Sequence, residues 1–274
     1  MSRKNWTSDK IFSRLRNNKS KRTYWDNIGE LRKRPTKKVH AAAVELCRSP
    51  IDKEKIIGID VLAQLGIRPR FMQEETVDLY FQLLENAPSP KVLESILSGI
   101  GHNNDNLSDK HMATLFGYLD HSYSDVRFSL VHAILGVENP TAIHMLIKLS
   151  ADKHPSVRDW ATFGLGKQIE VSNDPIVNAL WDRREDPFNQ VRMEAISGLL
   201  AHKDSRIKAF LMEKLADIDD LDLHILQAIE SLDDPEFINL LEKQIEANRT
   251  NKTVDEKWLQ DCLDTLKENT HPER

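Results

Sequence analysis

Ten histidines, two cysteines and a set of acids are the side chains of this 274-residue chain best suited to holding a metal or carrying acid–base chemistry. A metal site built on one helix needs ligands four residues apart. His40, His102, His111, His121, His132, His144, His154, His202, His224 and His271 contain no such pair. They are expected in turns and on the surface, and no metal or other cofactor is expected. Cys47 and Cys262 stand near opposite ends of the chain, which argues against a disulfide framework and for a reducing, cytoplasmic setting. The runs Gly99-Ile100-Gly101 and Gly164-Leu165-Gly166 lack the residues of a phosphate loop and are expected at helix ends, in packing or C-capping. The chemistry left is non-covalent recognition, with aromatic and methionine side chains as anchors.

The elements that must position those anchors repeat. DVRFSLVHAILG from Asp125, SVRDWATFGLGK from Ser156 and QVRMEAISGLLA from Gln190 share Val-Arg pairs at Val126-Arg127, Val157-Arg158 and Val191-Arg192. A period of 20 to 50 residues is the mark of a stacked array. Each copy has apolar or small residues at offsets 0, 4, 7 and 8 from its valine, which lie on one helix face. These are Val126, Leu130, Ala133 and Ile134; Val157, Ala161, Gly164 and Leu165; and Val191, Ala195, Gly198 and Leu199. Gly164 or Gly198 inside a helix costs about 1 kcal/mol relative to alanine, which close approach of a neighbouring helix would offset. Degenerate copies stand at Ile57, Val61, Gln64 and Leu65, at Val92, Ile96, Gly99 and Ile100, and at Leu221, Ile225, Ala228 and Ile229. A second amphipathic segment precedes each, across a turn rich in Asp, Asn, Ser and Pro. The unit is helix, turn, helix, and six units are counted.

An aspartate recurs ahead of each Val-Arg pair, Asp120 before Arg127, Asp152 before Arg158 and Asp186 before Arg192. This D-x(5,6)-V-R-x(2)-A-x(2)-[AG]-L pattern resembles HEAT repeats, in particular the short phycobilisome-lyase-like group. The resemblance covers about residues 31 to 250 and is strongest from Asp120 to Ala201. It implies an all-α, right-handed α-α superhelix, a HEAT-repeat solenoid of about six helical hairpins with capping helices at both ends. It also implies that the aspartates support the interhelical turns and that the arginines pair along the stack. A fold of this kind does not by itself name an activity.

Within that family the second helices line the concave side, so offsets 2, 6 and 9 are expected at its surface. They carry Phe128, His132 and Leu135, then Asp159, Phe163 and Gly166, then Met193, Ser197 and Leu200, with Trp160 at the edge. Phe128, His132, Asp159, Trp160, Phe163 and Met193 are therefore the expected partner-binding residues, with Phe128, Trp160, Phe163 and Met193 as an apolar strip. Enzymatic branches of the fold fit less well. Deoxyhypusine hydroxylases bind iron through His-Glu dipeptides, and the chain has none. HEAT-like alkylpurine DNA glycosylases hold a damaged nucleotide with tryptophans and an aspartate in a basic groove. Only Asp159-Trp160 and Trp181-Asp182 mimic that pairing, and Asp159, Glu194 and Glu94 would repel phosphate there. The bilin-lyase branch shares the repeat style, but no residue points to a tetrapyrrole. The expected function is a non-catalytic scaffold for a protein or peptide. Alternatives are a nucleic-acid binder using the basic N-terminal region and a lyase-type enzyme.

Residues 1–40 carry 13 Lys and Arg against three acids, a net of +10, while the remaining 234 residues are net −15. A basic end of this kind invites phosphate or an acidic protein surface, or pairs with the acidic body. Residues 1–30 are expected as a basic arm and capping helix, 31–250 as the solenoid, and 251–274 as a C-terminal capping helix and tail. The first twenty residues read as a flexible arm whose Trp6, Ile11, Phe12 and Leu15 can dock as a cap, and their removal is expected to leave a folded protein. They lack the apolar core of a secretory signal, and no run reaches the roughly 18 apolar residues of a membrane span. Asn248-Arg249-Thr250 and Asn251-Lys252-Thr253 are read as a polar loop.

Overall fold

The computed structural model describes residues 3–86, 88–220 and 222–270. Sixteen α-helices and no β-strand occur among the described residues. The fold class is that of an all-α helical-repeat solenoid. No helix of the described residues is long and apolar enough to cross a membrane. Two compact units divide the chain, residues 1–161 and 162–274.

The first unit contains α1 (Ser8–Arg16), α2 (Lys21–Arg32), α3 (Lys37–Cys47), α4 (Asp52–Ala63), α5 (Gln73–Leu84), α6 (Pro90–Gly101), α7 (Asp109–Phe116), α8 (Ser124–Ile134), α9 (Pro140–Leu149) and most of α10 (Pro155–Phe163). The even helices pack in order, α2 on α4, α4 on α6 and α6 on α8, while α1, α3 and α5 join them as hairpin partners and α7 packs on α9. The second unit holds a π-helical turn (Gly164–Gln168), α11 (Asp174–Arg183), α12 (Asn189–Ala201), α13 (Ile207–Ala216), α14 (Leu223–Leu232), α15 (Glu236–Asn251) and α16 (Glu256–Thr270). Here α12 packs on α14 and α14 on α16, with α13 against α15.

Local chemistry starts these helices. The Asn139 and Asn173 side chains accept from the backbone N–H groups of Thr141 and Ile176, and Ser108 forms a capping box with His111. Pro140, Pro155 and Pro175 occupy first turns, where the missing N–H leaves no bond unmade. The repeat positions then fill the interior. Val126, Leu130, Ala133, Ile134, Val157, Ala161, Leu165, Val191, Ala195 and Leu199 are all 0% exposed. Ile57, Val61, Leu65, Val92, Ile96, Ile100, Ile225, Ala228 and Ile229 are likewise buried. Gln64 is only partly buried. Leu221, placed at the start of the last copy, and His271 lie outside the described residues.

Three features depart from the sequence reading. The segment expected as a flexible arm whose apolar patch can dock as a cap is an ordered helix, α1, docked on α2 and α4, with Ile11 and Leu15 at 0% exposure and Phe12 at 5%. Such burial makes it part of the core. Gly166, assigned to the surface at offset 9, is buried: a Cβ on it would stand 2.8 Å from the Gly198 Cα, and the reverse holds for Gly198. The π turn accounts for this, because i→i+5 bonding puts more residues in each turn and so holds the helix phase behind the α-helical count. Asn248, read as part of a loop, lies in the last turn of α15, 3% exposed. Its amide nitrogen donates to the Val254 carbonyl at 2.8 Å, and its Oδ1 accepts from the Thr253 and Val254 N–H groups at 2.9 and 3.2 Å. It closes the connection to α16 from within.

Candidate functional site

The Val-Arg arginines act first on their own turns. Arg127 Nη1 donates to the His121 carbonyl, Arg158 Nη1 to that of Asp152 and Arg192 Nη1 to that of Asp186, at 2.6, 2.9 and 3.0 Å. In each case the guanidinium satisfies a carbonyl six residues back in the interhelical turn. The turn aspartates complement them: Asp152 Oδ1 accepts from the His154 N–H at 2.7 Å and Asp186 Oδ1 from the Phe188 N–H at 2.9 Å. Between hairpins, Arg127 grips Asp152 through Nε and Nη2 at 2.6 and 2.8 Å, with both side chains under 10% exposed. Asp120 is exposed instead. Arg192 reaches the Asn189 Oδ1 at 3.2 Å where Arg127 has a carboxylate.

Two of the even helices bring three rings together. Phe128 and His132 lie one turn apart on α8, with ring centroids 4.8 Å apart, and Trp160 of α10 sits 4.7 Å from His132 and 6.2 Å from Phe128. Trp160 is 37% exposed, and Phe128, His132 and Asp159 are half-buried. Burial holds the His132 pKa below the usual histidine range, so the ring is uncharged at neutral pH. Phe163 and Met193 belong to the second unit and are each half-buried there.

Three other even helices, α2, α4 and α6, carry a polar chain that sequence reasoning missed. Tyr24 of α2 donates its hydroxyl to the Asp60 carboxylate of α4 at 2.6 Å. Arg32 donates twice to the Asp60 carbonyl, at 3.1 and 2.8 Å, and once to the Gln64 Oε1 at 3.0 Å. The Gln64 amide in turn bonds the ring of His102, 2.6 Å from Nε2, at the end of α6. Burial, then the nearby charges of Arg32, Arg70, His132 and Arg68, push the His102 pKa down to about 4. The two histidines of this face are therefore neutral rings, and the surface they form is aromatic and amide-like. The partners are 28 to 38 residues apart, about one repeat period, and nothing in a single repeat marks them as partners.

Asp60 makes this chain sensitive to pH. Burial pushes its pKa up to about 6, although the Tyr24 hydrogen bond and the Arg32 charge work the other way. A carboxyl with a raised folded-state pKa is protonated in the folded chain while the unfolded chain has already lost its proton. Its contribution is therefore most favourable below pH 4 and is lost as pH rises to about 6. Asp60→Asn keeps an acceptor for Tyr24 and removes the titration. It should raise stability at pH 7.5 by on the order of 2 kcal/mol relative to the effect at pH 4. Urea unfolding at the two pH values measures this, and an equal effect at both would exclude a buried ionised carboxylate.

Comparison with known proteins supports the fold. No family model matches the chain. A 92-residue stretch, 34% of the chain, is 32% identical to protein YibA of Escherichia coli K12, and a match of the same size is found with YibA of strain O157:H7. The match spans about a third of these relatives' length. The crystal structure of E. coli YibA superposes with a TM-score of 0.71 at 21% identity, covering 96% of this chain and 93% of that one. The crystal structure of an engineered protein gives 0.52 at 15% identity, over 96% of this chain and 78% of that one. At such identities the likeness establishes a helical-repeat fold and leaves the activity open.

Proposed function

We propose that the protein is a non-catalytic helical-repeat scaffold that captures a segment of a protein partner on the even-helix face of its first unit. The ring cluster of Phe128, His132 and Trp160 carries this reading, because large aromatic groups with neutral polar edges are the commonest anchors of protein interfaces. A helix or an extended peptide laid across α8 and α10 would cover the rings, with Asp159 offering a charge at the rim. Phe163 and Met193, half-buried in the second unit, are proposed as partner-binding residues of that unit. The Asp and Val-Arg pattern supports placing the repeats in the short phycobilisome-lyase-like HEAT group, with residues 31–250 as the repeat body and 1–30 and 251–274 as its ends. Two buried, unbridged cysteines support a cytoplasmic setting.

A photo-crosslinking residue in place of Phe128 should give protein adducts in cells, whereas the same residue in place of the exposed Ala113 on α7 should not. Trp160→Ala should cut the Phe128-site adducts about tenfold, as the loss of one anchor implies. Equal adducts at both positions, or no effect of Trp160→Ala, would remove this face from consideration.

A further inference from the structure

The basic N-terminal end forms a structured surface of its own. Arg34 fixes the turn before α1, donating to the Trp6 carbonyl at 2.6 Å and the Arg3 carbonyl at 3.2 Å, and Arg3 Nε donates to the Asn27 Oδ1 at 3.1 Å. This holds Trp6 between two clefts of about 660 and 490 Å³, both of which it lines together with Arg3. Lys4 and Lys33 line the first, Arg14 and Lys19 the second, and Lys10 and Arg14 approach the Trp6 ring at 4.9 and 5.8 Å. Lys4, Lys10, Arg14, Lys19 and Lys33 have no carboxylate partner among the described residues, while the two acids of the clefts, Asp26 and Glu30, are engaged by Arg3 and Arg34. The Trp6 indole N–H is buried without an acceptor. Trp25 lines the first cleft at 44% exposure, braced by Tyr24 edge-on at 5.2 Å and by Arg32 at 5.7 Å.

Unneutralised cations along joined clefts track a chain of phosphates, and a braced, exposed indole provides a face on which a base stacks. We propose that this end of the first unit binds single-stranded nucleic acid, the phosphates following Lys4, Lys33, Arg14 and Lys19 and one base stacking on Trp25. A duplex would keep its base faces inside the stack and out of reach of Trp25. An acidic polypeptide would meet the cations and leave the indole unused.

Fluorescence anisotropy with a labelled 15-nucleotide mixed-sequence DNA or RNA single strand tests this on the full chain, with a duplex of the same sequence and polyglutamate as competitors. Saturable binding of the single strand is expected, weakening roughly 50-fold between 50 and 200 mM salt, as counterion release from about four phosphates requires. Lys19→Glu with Lys33→Glu should abolish it, and Trp25→Ala should weaken it about tenfold, with the thermal melt of each variant unchanged. The proposal is overturned by the absence of saturable binding at 50 mM salt. It is equally overturned if Trp25→Ala has no effect and polyglutamate competes as well as the single strand, which would assign the surface to an acidic protein.

Discussion

Asp152→Ala should destabilise the protein by about 3–5 kcal/mol, the usual cost of stranding one charge of a buried pair. Arg127 and Asp152 are bonded through two N–H groups, with side chains 5% and 8% exposed, so the arginine left behind would lose both charged hydrogen bonds while largely shielded from water, with the exposed Asp120 acting on it only through its charge. The aspartate also caps the His154 N–H, and that bond would be lost too. Replacing both members, Arg127→Met with Asp152→Leu, should cost less than Asp152→Ala alone, because no charge is then buried unpaired. Urea denaturation of the three proteins measures the difference, and a double variant weaker than the single would show that the arginine's bond to the His121 carbonyl dominates. Burial works against ionisation of Asp152, but the Arg127 hydrogen bond and charge, with the His154 N–H, outweigh it and hold the carboxyl below its ordinary range. The stability it supplies is present above about pH 4 and is lost as pH falls through its lowered pKa.

Gly58→Ala should cost about 3 kcal/mol, at the upper end for overpacking. A Cβ at Gly58 would overlap the Ala43 carbonyl oxygen and lie 2.7 Å from both the Cys47 N and Sγ, so α3 and α4 would have to separate. Most of the obstruction is backbone, which cannot move aside by changing rotamer. Thermal melts should therefore show little rescue when Cys47→Ala is added. Full recovery in that double variant would mean that only the thiol stands in the way.

The regular part of the molecule was open to reading from the chain alone. Val126, Val157 and Val191 recur because each hairpin must bury the same face, and period 3.6 within a longer repeat exposes that demand in one dimension. The three rings illustrate the limit. Phe128 and His132 share α8 at i, i+4 and were recognisable as neighbours, whereas their contact with Trp160 depends on how α10 packs. Tyr24, Asp60 and His102 occupy no repeat position, and Gln64, at offset 7 of a degenerate copy, gives no sign of its partners. Their bonds join residues one repeat apart, and each residue taken alone is an ordinary polar position on a helix. Gly166 departs from the α-helical count because a π turn changes it, and Asn248 because an asparagine near a helix end is as consistent with an exposed loop as with an internal cap.

The amino-acid order by itself determined an all-helical chain built of repeated hairpins, the interior lining of each and a strongly basic beginning. Those are consequences of local periodicity and of charge. Tertiary packing decided that α1 belongs to the core, that Arg127 closes on Asp152, and that the half-buried Asp60 meets Tyr24. It also decided that Trp6 and Trp25 stand among cations lacking acids. The reason is that burial and pairing are properties of distance in space, and stacking brings together residues some thirty positions apart whose attraction no local pattern records.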